Sequence, residues 1–285
     1  MKKVLITGAN GFVAKYLKDL FKNDEVFLTD VSGDDLLKCD ITDKQAVYDL
    51  VHDICPDEIY HLAAIALPGN ENRDLVNRVN VEGTLNILEA AREFCPKAKI
   101  LLISSGYVYG DCKATAKESA PVNPVGIYAQ SKLEMENQAL EKFPNLNLYI
   151  ARPFTHSGYG QGLGFFFPDM AKKIEAAKKE DIPVIEIYNP ESKRDFSHVK
   201  DVVRAYKLIM EKGIPKEIYN ICYGKAYDVL EIFEQMAESA GLKEYKVKRI
   251  KHGVVIDLIG DNTKIKKLGF SPQYGVSEII KEFVR

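Results

Sequence analysis

Tyr128 and Lys132 stand four residues apart, the spacing that puts two side chains on one face of a helix. A phenol beside an ammonium is a tunable proton donor and acceptor. Alone, a tyrosine with a pKa of about 10 exchanges protons poorly near neutrality, and a neighbouring cation favours its phenolate. A solvated helix face can carry the same pair, so the rest of the chain decides what the pair means. The stretch Thr7-Gly8-Ala9-Asn10-Gly11-Phe12-Val13-Ala14 follows the first apolar run. In a strand–turn–helix unit Gly8 permits the tight turn, Gly11 lets a pyrophosphate approach the backbone, and Ala14 lets helix pack closely on strand. The helix N-terminus then faces the phosphates. An ordinary βα turn also uses glycine for positive φ, but this placement favours a dinucleotide.

Asp30 closes the second apolar run. A carboxylate there hydrogen-bonds ribose hydroxyls and repels a 2′-phosphate. No arginine follows it immediately, so NAD(H) is favoured as cofactor and NADP(H) stands second. Asp40 has two roles open to it: accepting from the adenine amino group, or capping the next helix together with Thr42.

The elements that must position these residues fit a chain of 285 residues with 46% hydrophobic content, long enough for one large α/β domain with a smaller lobe. No apolar stretch approaches the roughly 18 residues of a membrane span. The start of the chain lacks a long apolar signal region, which points to the cytoplasm. Basic and acidic residues, 39 and 41 with a net charge of -2, produce no field for nucleic acid or an anionic membrane. Any anionic ligand must be held locally. Cys39, Cys55, Cys95, Cys112 and Cys222 are odd in number and scattered, as expected of reduced thiols. Neither they nor the histidines show metal-ligand spacing, and His61, inside an apolar run, is expected to be a satisfied core residue.

Short apolar runs at residues 3–7, 25–29, 58–62, 100–104 and 148–151 alternate with helical stripes. One such stripe is Val13, Leu17 and Leu20; the segment 81–94 repeats the pattern through Leu85, Leu88 and Ala91. That alternation signals a parallel sheet covered on both faces. Beyond residue 153 a glycine-rich loop leads to a helix at 167–179, a strand at 183–188, a helix at 199–211, a strand at 217–222 and a strand-like run at 245–250. The expected fold is α/β, a Rossmann-type doubly wound parallel sheet with a smaller, discontinuous C-terminal substrate-binding lobe. Residues 1–155 plus 196–223 would form the first unit and 156–195 plus 224–285 the second, with the ligand in the cleft between them.

The glycine turn, His61-Leu62-Ala63-Ala64, Asn80-Val81-Glu82-Gly83-Thr84, Ser104-Ser105-Gly106-Tyr107-Val108-Tyr109-Gly110 and Tyr128 with Lys132 occur in that order. In this the chain resembles an extended short-chain dehydrogenase/reductase of the NAD-dependent epimerase/dehydratase family, over at least residues 1–222. The resemblance implies that Tyr128 is the catalytic acid/base, that Lys132 binds the nicotinamide ribose and lowers the tyrosine pKa, and that Ser105 hydrogen-bonds the substrate carbonyl. It further implies a cofactor lined by Gly8, Asn10, Gly11, Phe12, Val13, Asp30, Asp40, Ile41, Leu62, Ala63, Ala64, Asn80 and Pro153, besides Tyr128 and Lys132. Physically the roles are apt, because donors aimed at a carbonyl oxygen stabilise the charge that grows there as hydride arrives.

A second block narrows the substrate. Arg152 to Gln161, Gly164 to Asp169, and Lys193-Arg194-Asp195-Phe196 resemble GDP-4-keto-6-deoxy-D-mannose reductases. By that resemblance Ser105, Tyr107, Thr155, His156, Phe166, Lys193 and Arg194 line a sugar-nucleotide pocket. Arg194 either pairs with the diphosphate or with Asp195 or another carboxylate nearby. The Phe165-Phe166-Phe167 run either stacks a ring on a nucleobase or belongs to the core. Two departures matter: Thr155 stands where the GDP-sugar family usually has Asn, and no carboxylate follows Ser105, where 4,6-dehydratases need one. Reduction of a nucleotide-linked 4-keto-6-deoxyhexose, GDP-4-keto-6-deoxy-D-mannose to GDP-D-rhamnose, is therefore expected over elimination. A nucleotide-sugar 4-epimerase or a dTDP-sugar reductase is the alternative. Relatives pair two helices into a homodimer; here segments 81–94 and 130–140 would do so, with Leu133, Met135 and Leu140 as the apolar positions.

Overall fold

The computed structural model describes residues 1–66, 72–112, 114–251, 253 and 255–284. In chain order the first part contains β1 (Lys3–Thr7), α1 (Phe12–Leu17), β2 (Glu25–Asp30), β3 (Leu37–Lys38), α2 (Lys44–Ile54), β4 (Glu58–His61), α3 (Arg73–Asn77), α4 (Thr84–Phe94), β5 (Lys99–Ile103), α5 (Ile127–Lys142) and β6 (Asn147–Pro153). The second part contains β7 (His156–Ser157), α6 (Phe166–Ala177), β8 (Val184–Tyr188), β9 (Lys193–Asp195), β10 (Ser197–His198), α7 (Val199–Lys212), β11 (Ile218–Ile221), β12 (Ala226–Asp228), α8 (Val229–Ser239), β13 (Lys246–Ile250), α9 (Thr263–Lys266) and α10 (Val276–Phe283).

Seven strands form one parallel sheet in the order β11-β6-β5-β4-β1-β2-β3. Strands that run as near-continuous apolar sequence need cover on both faces, and this sheet has it. Leu5, Ile59, Ile100, Leu102 and Leu148 pack with α2, α4 and α5 on one face. On the other, Val4, Ile6, Leu101, Tyr149 and Ala151 pack with α1 and α7. Alternate residues of β1 thus serve opposite cores, as the period of a strand requires. Strand order reverses between β1 and β4, which opens a crevice at the carboxyl ends of the strands. The sheet is therefore of the doubly wound Rossmann type.

A third core gathers Phe167, Ile174, Ile187, Phe196, Phe233 and Ile279 from α6, α8, α10 and the short sheets β13-β8 and β12-β9. Its contributing segments come from two separated stretches of sequence, so the smaller lobe is discontinuous.

Three details differ from expectation. The helix expected over residues 81–94 begins at Thr84, preceded by a π-helical turn at Arg78–Gly83 that continues α3. Asp43, and neither Asp40 nor Thr42, caps α2, its carboxylate accepting from the N–H groups of Gln45 and Ala46. Asp40 instead accepts from the N–H and hydroxyl of Thr42 in a local turn. Two of the three apolar positions of α5 expected at a helix pairing, Met135 and Leu133, are taken up within the chain. Met135 is in the core of the main sheet and Leu133 packs against Val108, Phe154 and their neighbours, while Gln130, Glu134, Gln138 and Lys142 line an outer groove. Among the described residues no helix is long and apolar enough to cross a membrane.

Candidate active site

The carboxyl end of β1 turns sharply at Gly8, whose φ is +70. A Cβ on Gly8 would lie 2.7 Å from the Ala63 nitrogen, and one on Gly11 would lie 2.9 Å from the Gly8 carbonyl oxygen. Gly8 is therefore required by space and by dihedral, and Gly11, at φ -63, by space alone. Gly11 N–H donates to Gly8 at 3.0 Å, closing the turn. At the start of α1 no side chain caps the helix and its first turn holds no acidic residue, so its N–H groups are left for an anion. This cradle suits the pyrophosphate of a dinucleotide. Phe12 and Val13 open the helix, and Ala14, buried, allows its close packing.

Asp30 spans two loops. Its carboxylate accepts from Asn10 N–H at 3.0 Å and from Val31 N–H at 2.8 Å, which sets it beside the glycine turn. Ile41 is turned into the core against Gly83, and its carbonyl accepts from Asn86.

His61 is the satisfied core residue expected. Thr7 hydroxyl and His61 Nδ1 are 2.8 Å apart, and His61 Nε2 and Thr84 hydroxyl 2.9 Å apart. Because the Thr84 hydroxyl donates to the Asn80 carbonyl, it accepts from Nε2–H, which assigns the tautomer. Burial, assisted by Lys132, pushes the imidazole down to about 3, so it stays neutral. The chain then runs through Leu62, Ala63 and Ala64 beside Gly8, with Ala63 N–H on Thr7.

Asn80 lies in the π-helical turn, fully buried. It accepts from Ile65 N–H at 2.8 Å and donates to the Ile65 carbonyl at 3.1 Å and the Ser131 hydroxyl at 3.0 Å. Ser131 in turn donates to the Tyr128 carbonyl. The amide of Asn80 is thus spent on protein, clamping the strand-end segment to α5; its role is positioning. π turns recur at functional sites, but one inserted residue leaves the apolar pattern of the sequence almost unaltered.

Ser105 follows β5 and caps a 3-10 turn at Gly106–Tyr109, accepting from Tyr107 N–H at 3.2 Å. Its hydroxyl also stands beside the Tyr128 phenol. Burial raises the Tyr128 phenol to about 12, and the Ser105 side chain draws it back. Lys132, expected to do this, instead donates to the Ile103 carbonyl at 2.7 Å, with its ammonium 5.9 Å from the Tyr128 ring centre. Burial lowers Lys132 to about 8 against the raising effect of Glu136.

Around the same strand ends, Pro153 closes β6 beside Ile221. Among the described residues, the hydroxyls of Ser104, Thr155 and Ser197 are buried without a hydrogen-bond partner, the kind of group that a ligand satisfies. His156 Nδ1 lies 2.9 Å from the Phe154 carbonyl, to which it donates, leaving Nε2 as the acceptor nitrogen; burial lowers its pKa. Tyr107 is half-buried beside the Val108, Tyr109 and Phe154 cluster. Of the three phenylalanines Phe167 is core, while Phe166 is half-buried and stacks on Phe196 at 5.7 Å. Arg194 donates to the Ile256 and Lys193 carbonyls and has no ion pair among the described residues. Its expected alternative partner, Asp195, is buried and accepts from the N–H groups of Tyr223 and Gly224 instead. Lys193 faces Asp228 at 3.5 Å. The five cysteines are free, four of them buried.

A model of the NAD dependent epimerase/dehydratase family matches residues 4–222. The GDP-6-deoxy-D-talose 4-dehydrogenase of Aggregatibacter actinomycetemcomitans is 31% identical over 271 residues, covering 92% of this chain and 90% of that protein. The GDP-6-deoxy-D-mannose reductase of Pseudomonas aeruginosa is 30% identical over 250 residues, covering 84% of this chain and 80% of that protein. The solved structure of RMD from Pseudomonas aeruginosa complexed with NADPH matches with a TM-score of 0.88 at 25% identity, over 100% of this chain and 98% of that one.

Proposed function

The chain belongs to the NAD dependent epimerase/dehydratase family, and from that premise we propose that it reduces the C4 ketone of a nucleotide-linked 4-keto-6-deoxyhexose, with GDP-4-keto-6-deoxy-D-mannose as substrate and GDP-D-rhamnose as product. The supporting observation is the Ser105 hydroxyl beside the Tyr128 phenol, one helical turn from the buried Lys132 and near a glycine turn shaped for a dinucleotide. Both relatives are named for GDP-6-deoxyhexoses, and talose and mannose differ at C4.

In this proposal residues 1–155 with 196–223 hold the cofactor, and 156–195 with 224–285 the sugar nucleotide. A nicotinamide cofactor, NADH before NADPH, supplies hydride to C4 when bound. Ser105 donates to the carbonyl oxygen and Tyr128 gives that oxygen its proton, so stabilisation grows as charge develops there. The Lys132 ammonium then favours the phenolate left behind. Arg194 serves the diphosphate, and Tyr107, Thr155, His156, Phe166 and Lys193 line the rest. Residues Gly106, Tyr107 and Val108 offer no carboxylate for elimination. Free thiols suit a reducing compartment, and the proposal includes a cytoplasmic homodimer.

The test is oxidation of NADH and NADPH in parallel with GDP-, dTDP- and UDP-linked 4-keto-6-deoxy sugars, with product configuration at C4 read by NMR. Oxidation with the GDP substrate supports the proposal, and the talo product would revise only its stereochemistry. No oxidation with any of them, or interconversion of UDP-hexoses without added cofactor, would overturn it.

A further inference from the structure

Tyr128, Lys132 and Glu136 occur at successive turns of α5. Glu136 is buried and receives two hydrogen bonds from Arg152 of β6, from Nε at 2.8 Å and from Nη2 at 2.5 Å. The two side chains are 2% and 4% exposed. The Arg152 guanidinium also lies over the Tyr109 ring, 4.9 Å from its centre. Tyr109 ends the turn that Ser105 caps, and its hydroxyl donates to Asn220 of β11 at 2.7 Å. Asn220 is fastened further by its own N–H to Glu118 and its amide to the Ala116 carbonyl.

We propose that the Glu136–Arg152 pair is the positioning device for the proton-delivery residues: Arg152 holds the Ser105 turn and the Tyr128 helix in register, and the Glu136 carboxylate keeps Lys132 charged. The inference rests on the assignment of Tyr128 and Lys132 to proton delivery. A buried ion pair is an expensive way to fill a core, because apolar residues of the same volume usually serve stability as well or better. What apolar residues cannot supply is a negative charge one turn from a buried ammonium. Among the described residues, Lys132 faces neutral His61 from β4, the Ile103 carbonyl from β5, and Tyr128 and Glu136 from its own helix, with Arg152 paired to Glu136. Of these Glu136 is the group that raises Lys132 against desolvation.

The test compares the parent, Glu136→Gln and the double variant Glu136→Met/Arg152→Met. Lys132 ionisation is read without substrate, from the pH dependence of its 13Cε NMR signal, beside thermal melting and the pH profile of kcat. In the double variant, melting near the parental temperature is expected, with Lys132 titrating lower by about half a pH unit or more. The basic limb of kcat should move with it, and loss of register between the Ser105 turn and the Tyr128 helix should lower the plateau of kcat about tenfold, with the cofactor Kd little changed. Glu136→Gln should shift Lys132 in the same direction even where it lowers the melting temperature. A folded variant with parental Lys132 titration and parental kcat would reduce the pair to packing. The NMR readout needs no turnover, so failure of the reductase assignment and failure of this inference are distinguishable.

Discussion

Lys132 Nζ donates to the Ile103 carbonyl oxygen at 2.7 Å and stands 5.9 Å from the centre of the Tyr128 ring. The ammonium is thus anchored to the end of β5, the strand that leads into Ser105. Burial leaves it at about 8 and the phenol at about 12. A proton donor must be protonated, and Tyr128 remains so throughout the neutral range; Lys132 loses its charge as pH rises through about 8. We therefore expect kcat/KM for reduction to be level below neutrality and to fall along one basic limb near 8, since this parameter reports the free enzyme. A profile from pH 6 to 10 with no inflection near 8 would contradict the assignment. Stability should respond oppositely. The folded pKa lies below the ordinary 10.5, so the unfolded chain binds more protons between about 8 and 10.5, and the contribution of Lys132 to stability rises with pH through that window.

Tyr128→Phe keeps the ring and removes the proton. Loss of a positioned general acid typically costs about 10²–10⁴ in rate, so kcat should drop into that range while cofactor affinity, measured by fluorescence titration, changes by no more than about twofold. The partner hydroxyl of Ser105 retains its bond from Tyr107 N–H, and the melting temperature should be close to parental. Full activity in this variant would remove Tyr128 from the chemistry.

How much of this was legible in the sequence follows from which signals are local. The spacing of Tyr128 and Lys132, the glycine turn and the alternation of apolar runs each express a backbone period, and the sheet carries them with boundary shifts of one or two residues. Glu136 and Arg152 are joined across α5 and β6, a contact without a period, and nothing local in the sequence marks the two as partners. Met135 and Leu133 show the same limit: an apolar side chain announces burial but not whether a core or a partner provides it. Asp43 capped α2 where Asp40 and Thr42 were equally eligible by residue type, because the choice depends on where the chain leaves the sheet.

Asp30 should govern the choice between cofactors. Its carboxylate is held by the N–H groups of Asn10 and Val31 at the glycine turn, and a carboxylate at the end of the second strand repels a 2′-phosphate. Asp30→Asn keeps an acceptor and removes the charge. The ratio of kcat/KM for NADPH to that for NADH should rise about tenfold or more, equivalent to about 1.4 kcal/mol. A parent enzyme that already prefers NADPH, or a ratio unmoved by the substitution, would show that the ribose is read elsewhere.

Asn80 joins three segments that sequence separation keeps apart: the strand-end run at Ile65, the π-helical turn, and Ser131 beside Tyr128. Asn80→Ala leaves the Ile65 N–H and carbonyl without their partner, and an unsatisfied buried polar group costs about 1–3 kcal/mol. Melting should therefore fall by several degrees, and hydrogen exchange should rise at residues 62–66. Because the same amide fastens Ser131, and through it the Tyr128 carbonyl, kcat should fall further than loss of folded protein explains. Ser131→Ala removes the hydroxyl but leaves Asn80 on Ile65. It should reproduce part of the kcat loss with little extra exchange at residues 62–66. Equal exchange in both variants would mean that the strand-end segment is held by something other than the Asn80 amide.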